Sequence, residues 1–442
     1  MRLLGALLCV SILTAFADPA SDIVANVDES MMVDNIKYLS GVTSDIDTRY
    51  SPAADALLAQ DWLRDYFEGL GYQVTIQDWG TWSGYACCDN VIARKEGTKF
   101  QAELYVICGH YDSISNDPWN NAPGADDNGT GAVSVMEAAR LLQQYPTDYT
   151  IEFICFSGEE EGLYGSSYYC NHPGGRLWQG AINLDMVGYA PDPNHEVYVG
   201  TTDYPSTFAE FVAQTGELHN PGRTFERFGY SGGASDNYPF YLHGVPECLI
   251  IEGTPAMIWG GYNPYYHRTT DTWDHINPTY LRDCARTGIA ALAELAGASN
   301  GSAAVLMPQY VGGLANVTIE LERRDVGSIT PLATYYVALD SAGVFELPDE
   351  VPAGTWDFAA KAPGWLRDVS ASVTVPTLTG TSFHLVPGDC TADNRVDLLD
   401  INTILVKFGS TGDPNTDIDG SGVADLDDLN IVLIDFGEVG DP

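Results

Sequence analysis

Leu104-Tyr105-Val106-Ile107-Cys108-Gly109-His110-Tyr111-Asp112-Ser113 joins an apolar run to a polar turn that opens on a histidine. The run 104–108 reads as a buried strand because it is short, continuous and rich in β-branched and aromatic residues. A layered α/β sheet delivers reacting groups to one edge in this way, through loops at strand ends. The pattern recurs. Residues 151–156 form a second apolar run followed by Ser157-Gly158-Glu159-Glu160-Glu161-Gly162, and residues 181–184 a third, followed by Asp185-Met186. Working outward, residues 53–70 carry apolar side chains at helical spacing and stop at Gly71, where a left-handed cap is easy. Residues 72–76 read as another strand, and 132–142 and 280–295 as helices. The predicted fold is α/β, with a mainly parallel central sheet flanked by helices.

Each polar loop taken alone has a plain structural reading. A single histidine after a strand is more often structural than a ligand, and Gly124-Ala125-Asp126-Asp127-Asn128-Gly129-Thr130-Gly131 could simply cap a helix. Glu159, Glu160 and Glu161 are harder to pass over, because adjacent carboxylates repel unless a cation or a proton neutralises them. Tyr265-Tyr266-His267-Arg268-Thr269-Thr270-Asp271-Thr272 adds a second histidine in an acidic loop. Nitrogen and oxygen donors without cysteine suit a catalytic zinc site with open positions rather than a closed structural one.

The order and context of these five loops resemble the M28 family of zinc peptidases across residues 22–300. That resemblance implies two zinc ions bridged by Asp127, with His110 and Asp185 completing one set and Glu160 and His267 the other. It makes Glu159 the general base and Asp126 a neighbour that is not a ligand. Asp112 becomes the residue that orients His110 through its other ring nitrogen, and Glu161 a solvated side chain. Tyr266 corresponds to an oxyanion-stabilising tyrosine in some relatives, with a packed aromatic ring as the equal alternative; Tyr230 is a rival donor. The run Ala234-Ser235-Asp236-Asn237 supports the site in the family. His172, His195, His219, His243, His275 and His384 lack a convergent ligand set and read as structural or surface residues.

After residues 296–302 the character changes to small residues and then to short Val-, Thr- and aromatic-rich runs punctuated by Gly and Pro. Residues 303–387 are read as a β-sandwich that resembles carboxypeptidase regulatory-type modules. Residues 388–442 repeat themselves: 389–409 matches 417–437. Each copy opens with oxygen donors at calcium-loop spacing, Asp389, Thr391, Asp393, Asp397 and Asp400, then Asp417, Asp419, Ser421, Asp425 and Asp428. The turn position is Asn394 in the first copy and Gly422 in the second. An apolar helix follows each loop with none before it, so the tail resembles a dockerin-type module. The resemblance implies two bound calcium ions and a cohesin-like partner.

Asp and Glu outnumber Lys and Arg by 61 to 20, a formal charge of -41 that repels nucleic acid and anionic membrane. The first 17 residues read as a cleaved export signal, too short to anchor the chain in a membrane. The predicted location is secreted, extracellular or periplasmic, with no membrane span in the mature chain. Disulfides are permitted there. Cys87, Cys88, Cys170, Cys248 and Cys284 are the cysteines expected to bridge, whereas Cys108 and Cys155 read as buried thiols. Asn128-Gly129-Thr130 fits a glycosylation sequon but falls inside the proposed site.

The expected activity is zinc-dependent release of amino-terminal residues from peptides. Alternatives are a carboxypeptidase or dipeptidase on the same site, or a non-catalytic zinc- and calcium-binding assembly protein. Glutaminyl cyclases share the scaffold of the resembled family but work with one zinc, and both ligand sets are present here.

Overall fold

The computed structural model describes residues 18–376, 378 and 381–442, which fall into two compact units, Pro19–Ser299 and Asn300–Pro442. The export segment expected at residues 1–17 lies outside the described residues.

The Pro19–Ser299 unit is built on one eight-stranded sheet. Its strands are β1 (Gln73–Gln77), β2 (Asn90–Lys95), β3 (Phe100–His110), β4 (Tyr149–Phe156), β5 (Leu177–Leu184), β6 (Val197–Thr201), β7 (Phe225–Gly229) and β8 (Glu247–Ile251), ordered β1-β2-β4-β3-β5-β8-β6-β7. The inner four, β4, β3, β5 and β8, run parallel. The flanks differ: β1 on β2, β2 on β4 and β6 on β8 are antiparallel, while β7 follows β6 in parallel. The sheet is therefore mixed, which corrects the expectation of a mainly parallel one. Composition could not show this, since an apolar run looks the same whichever direction its remote partner takes.

Alternate residues of β3 enter different cores, as the strand period requires. Ile107 packs with helices on one face; Leu104, Val106 and Cys108 pack with Tyr169 and Phe240 on the other. Burial on both faces is why the strand reads as an unbroken apolar run. The principal helices are α1 (Glu29–Leu39), α2 (Ala54–Gly69), α3 (Gly131–Leu142), α4 (Thr207–His219) and α5 (Pro278–Leu295). On α2, Ala56, Ala59, Leu63 and Phe67 form the buried stripe, and Gly71 at φ 91° ends the helix. Leu57 and Leu58, also apolar in the pattern, stay half-exposed because the small alanines are the face turned inward.

In the Asn300–Pro442 unit, a four-stranded antiparallel sheet orders Pro331–Ala338, Thr318–Arg324, Gly354–Lys361 and Asp368–Val375. A three-stranded sheet orders Val344–Glu346, Ser302–Leu306 and Ser382–His384. Helices Leu398–Lys407 and Leu426–Ile434 follow the two acidic loops. Phe358, Trp365 and Phe383 share one apolar core with Val396, Ile404, Ile418 and Val432, so the strands and the repeated tail are packed as one body.

All eight cysteines outside the first 17 residues are free and buried. This corrects the expectation of bridges at Cys87, Cys88, Cys170, Cys248 and Cys284. Burial, with Asp112 and Glu161 nearby, pushes the thiols of Cys88 and Cys87 up to about 12 and about 11, so both stay neutral thiols. Among the described residues no helix is long and apolar enough to cross a membrane.

Candidate functional site

Three parallel strands end at one edge of the sheet, and each delivers a donor there. His110 closes β3, opposite Phe156 of β4; Glu159 and Glu160 follow β4; Asp185 follows β5, whose Leu184 pairs with Ile250 of β8. Asp127 comes from the turn that opens α3. That turn lies close against β5 because residue 131 is glycine: a Cβ there would stand 2.1 Å from the Leu184 carbonyl oxygen. His267 enters from the loop before α5, with its backbone in the left-handed region at φ 56°, a strained setting for a histidine.

The five side chains converge as two triads joined by Asp127. His110 Nε2 lies 3.4 Å from Asp127 Oδ1 and 3.5 Å from Asp185 Oδ1. His267 Nε2 lies 3.2 Å from Asp127 Oδ2 and 3.0 Å from Glu160 Oε2. The donor atoms of His110, Glu159 and Asp185 all lie within 4.8 Å of one another, as do those of Asp127, Glu160 and His267. Glu159 Oε2 stands 4.0 Å from His110 Nε2, in reach of the same space. His110 Nε2, Asp127 Oδ2 and Asp185 Oδ1 are buried and make no hydrogen bond. Orphaned donors and acceptors facing one point are costly unless something occupies it. The fit to metal is therefore good: imidazole and carboxylate donors, no thiolate, and a carboxylate with one oxygen toward each histidine.

The electrostatics agree. Burial pushes the Glu159 carboxyl well above its usual range and Glu160 up to about 7, with neighbouring carboxylates adding to both. Burial alone would lower the two histidines, but the surrounding carboxylates outweigh it and hold His267 at about 10 and His110 well above the ordinary value. Burial would also raise Asp127; the two imidazoles hold it below the usual range instead. A cluster this acidic stabilises cations.

Around the donors lies a shell that fixes their backbone. Asp112, fully buried, accepts from Ser51 Oγ at 3.0 Å and from the Glu160 N–H at 3.2 Å. His110 Nδ1 faces the Asp112 carbonyl oxygen at 3.1 Å and its carboxylate at 3.5 Å, so the backbone shares in orienting the ring. Ser235 donates to Asp185 Oδ2 at 2.6 Å and accepts from Asn183 at 2.7 Å. Asp126 points away from the triads, accepting from the Gly188 N–H at 2.8 Å and from Asn263 at 2.9 Å. Asn128 is fully buried, bonded to Leu184 O and the Gly131 N–H, a position closed to a glycan.

Sequence reasoning missed two residues here. Arg49, fully buried, donates to the carbonyl oxygens of Tyr111, Pro123, Gly124 and Leu39, tying the end of β3 to the Asp127 turn. Asp271 accepts the N–H groups of Asp126 and Asp127. A third reading needs correcting. Glu161 is not solvated: both its oxygens are buried without a hydrogen bond, and burial, with Asp112 nearby, pushes it up to about 8.

Tyr266 stacks on His267, ring centroids 3.8 Å apart, and lines a narrow cavity of about 40 Å³ with Asp127, Glu159 and Asp185. The rest of the lining includes the apolar Met186, Ile251, Ile258 and Trp259, and Tyr266 packs against the cluster that holds the first three. Tyr230 is not part of that lining, and its hydroxyl is hydrogen-bonded to Asn237. The remaining histidines join neither triad. A larger cavity of about 560 Å³ lies between α4 and β8, yet Glu247 and Asp203 are its only charged lining groups, so chemistry rather than size identifies the site.

In the second unit, oxygens of Asp417, Asp419 and Asp428 lie within 4.8 Å of one another. Asp425 and Asp428 form a capping box on the second tail helix, as Asp397 and Asp400 do on the first. Asn394 and Gly422 both take positive φ, 68° and 106°. Thr391 donates to Asp400; Asp393 and Ser421 are exposed turn residues, Asp393 accepting from the Arg395 N–H and Ser421 donating its own N–H to Asp419 and its hydroxyl to Asp417.

Residues 90–292 match Peptidase family M28. Aminopeptidase YwaD of Bacillus subtilis is 32% identical over 215 residues, which cover 46% of this chain and 44% of that protein. Leucine aminopeptidase 1 of Arthroderma otae is 31% identical over 211 residues, covering 44% and 55%. The chain thus spans about half the length of these curated relatives. The structure of BSAP, a zinc aminopeptidase from Bacillus subtilis, superposes with a TM-score of 0.53 at 19% identity, covering 61% of this chain and 96% of that one. The fold of the first unit is aminopeptidase-like, and the relatives it matches in sequence include proteins named as aminopeptidases.

Proposed function

We propose that the protein is a secreted two-zinc metallopeptidase that releases amino-terminal residues from peptides. The observation that carries the reading is Asp127, whose two carboxylate oxygens each face the imidazole of a separate triad. His110, Asp127 and Asp185 would hold one ion; Asp127, Glu160 and His267 would hold the other. Zinc at these positions supplies Lewis-acid polarisation of a carbonyl and lowers the pKa of water. Glu159 stands 4.0 Å from His110 Nε2, and with cations in the site favouring its ionised form its carboxylate would serve as the general base toward the attacking water and the leaving amine. Tyr266 lies against His267 at the rim, where its hydroxyl could donate to developing oxyanion charge. The apolar lining of Met186, Ile251 and Ile258 favours an uncharged, apolar side chain on the released residue.

The acidic tail supports a second part of the reading: calcium-binding loops of the dockerin type, with a cohesin-like partner. The duplicated spacing of Asp389–Asp400 and Asp417–Asp428 and the capped helices behind both loops support it.

The test is a mass-spectrometric time course of the zinc-loaded protein on one peptide, free or acetylated at its amino end. Stepwise loss from the free end, blocked by acetylation and abolished by Glu159→Gln, is expected. Trimming from the carboxyl end would keep the site and reverse the specificity. No cleavage of either peptide would favour the assembly reading instead.

A further inference from the structure

We propose that the two acidic loops of the tail are not equivalent: the second takes calcium, while in the first the ammonium group of Lys361 stands where the ion's charge would be. The inference rests on the calcium reading of the tail and departs from the expectation of two ions.

Asp389 and Asp417 hold the same place in the two copies, the first position of each loop. Their surroundings differ. Asp389 is fully buried, and its Oδ2 accepts from Lys361 Nζ at 2.5 Å. The same carboxylate takes the N–H groups of Asp393 and Asn394 at 3.0 and 2.9 Å. Lys361 is no part of the tail. It is the last residue of Gly354–Lys361, in the four-stranded sheet, and only 14% of its side chain is exposed. A cation entering the first loop would have to sit beside this ammonium group or displace it from a buried pair.

No such group faces the second loop. Among the described residues no Lys, Arg or His pairs with Asp417, Asp419, Asp425 or Asp428. Asp417 accepts only from its own loop, from the Gly422 N–H and Ser421 Oγ. Oxygens of Asp417, Asp419 and Asp428 converge, whereas the third position of the first loop is Thr391, whose hydroxyl donates to Asp400 Oδ1 at 3.0 Å and which brings no carboxylate. The first loop is also fastened from outside: Asn394 Oδ1 accepts the Arg367 N–H at 2.8 Å, and its amide donates to Asp441 O at 2.7 Å. The first loop is thus held to the sheet by a resident cation and backbone bonds, with the ion-binding task left to the second.

The experiment is calorimetric titration of calcium into the zinc-loaded full-length protein. One ion per chain is expected, lost in Asp417→Ala, at a partly exposed position, and retained in Asp393→Ala, at an exposed one. Lys361→Met should raise the number to two. Two ions in the unaltered chain would overturn the inequality while leaving the calcium reading intact, and no ion would overturn that reading itself. Loss of the ion in Asp393→Ala would overturn the assignment of loops. If Lys361→Met folds, by its circular dichroism, and still takes one ion, the ammonium is not what excludes the second.

Discussion

Asp271 accepts the backbone N–H of Asp127 at 3.0 Å with the same carboxylate that takes the N–H of Asp126. One loop thereby contributes His267 and also clamps the backbone of the carboxylate that His267 faces. The clamp is buried, with Asp271 3% exposed, and Arg49 fastens the other end of the same turn through Pro123 and Gly124.

Removing the clamp should loosen the metal site before it unfolds the protein. Asp271→Ala is expected to weaken zinc binding about 10- to 100-fold, the usual effect of losing a group that supports a ligand. Asp271→Asn, which keeps one acceptor, should do less. Competition with a fluorescent chelator reads the affinity. An unchanged affinity with a lowered melting temperature would make Asp271 a fold residue only.

Zinc uptake should release protons. In the metal-free site, carboxylates hold His267 at about 10 and His110 well above its ordinary value against the effect of burial, which favours the imidazolium form of each. A zinc ion must expel those protons. Affinity should therefore rise with pH and level off only beyond about 10. Binding heats at pH 7 in buffers of different ionisation enthalpy should diverge; coincident heats would refute this.

Glu252 should make the metal-free protein less stable as pH rises. Burial pushes its carboxyl well above the usual range, and Asp126 adds to the shift. A folded pKa above the unfolded one, about 4.3, gives a contribution present below the unfolded pKa and lost as pH climbs through the folded one. Glu252→Gln removes the charge and offers Asp126 a donor. It should flatten the pH dependence of stability above the unfolded value of about 4.3. Parallel denaturant curves for both proteins across that range would refute the assignment.

Ser235→Ala should cut the turnover number about tenfold with little change in KM. The lost hydroxyl holds Asp185 Oδ2 at 2.6 Å and touches nothing in the cavity. Ser235→Thr should recover part of the activity. A loss confined to KM would place Ser235 in substrate binding.

Three of the five candidate donors were legible because each follows a run whose burial is written in its composition. His110 after 104–108, Glu160 after 151–156 and Asp185 after 181–184 all stand at ends of parallel strands. Arg49 and Asp271 were not legible, since their partners are backbone carbonyls and N–H groups distant in the chain, and no side-chain pattern marks them. Strand direction at the flanks was hidden for the same reason: pairing is a property of two segments, and β6 and β7 are too short to announce their neighbours. Glu161 differs from its solvated reading because three adjacent glutamates look alike in sequence, while its burial depends on residues distant in the chain.

The common core of the Asn300–Pro442 unit dictates where this gene can be trimmed. Val396, Ile404, Ile418 and Val432 of the tail cover Trp365 and Phe358, so a stop codon after residue 387 would leave an open greasy wound and an expression product prone to inclusion bodies. A cut between Ser299 and Asn300 falls at the boundary of the two compact units. The acidic repeats, though they read as an appendage, serve the neighbouring strands as a lid on their interior.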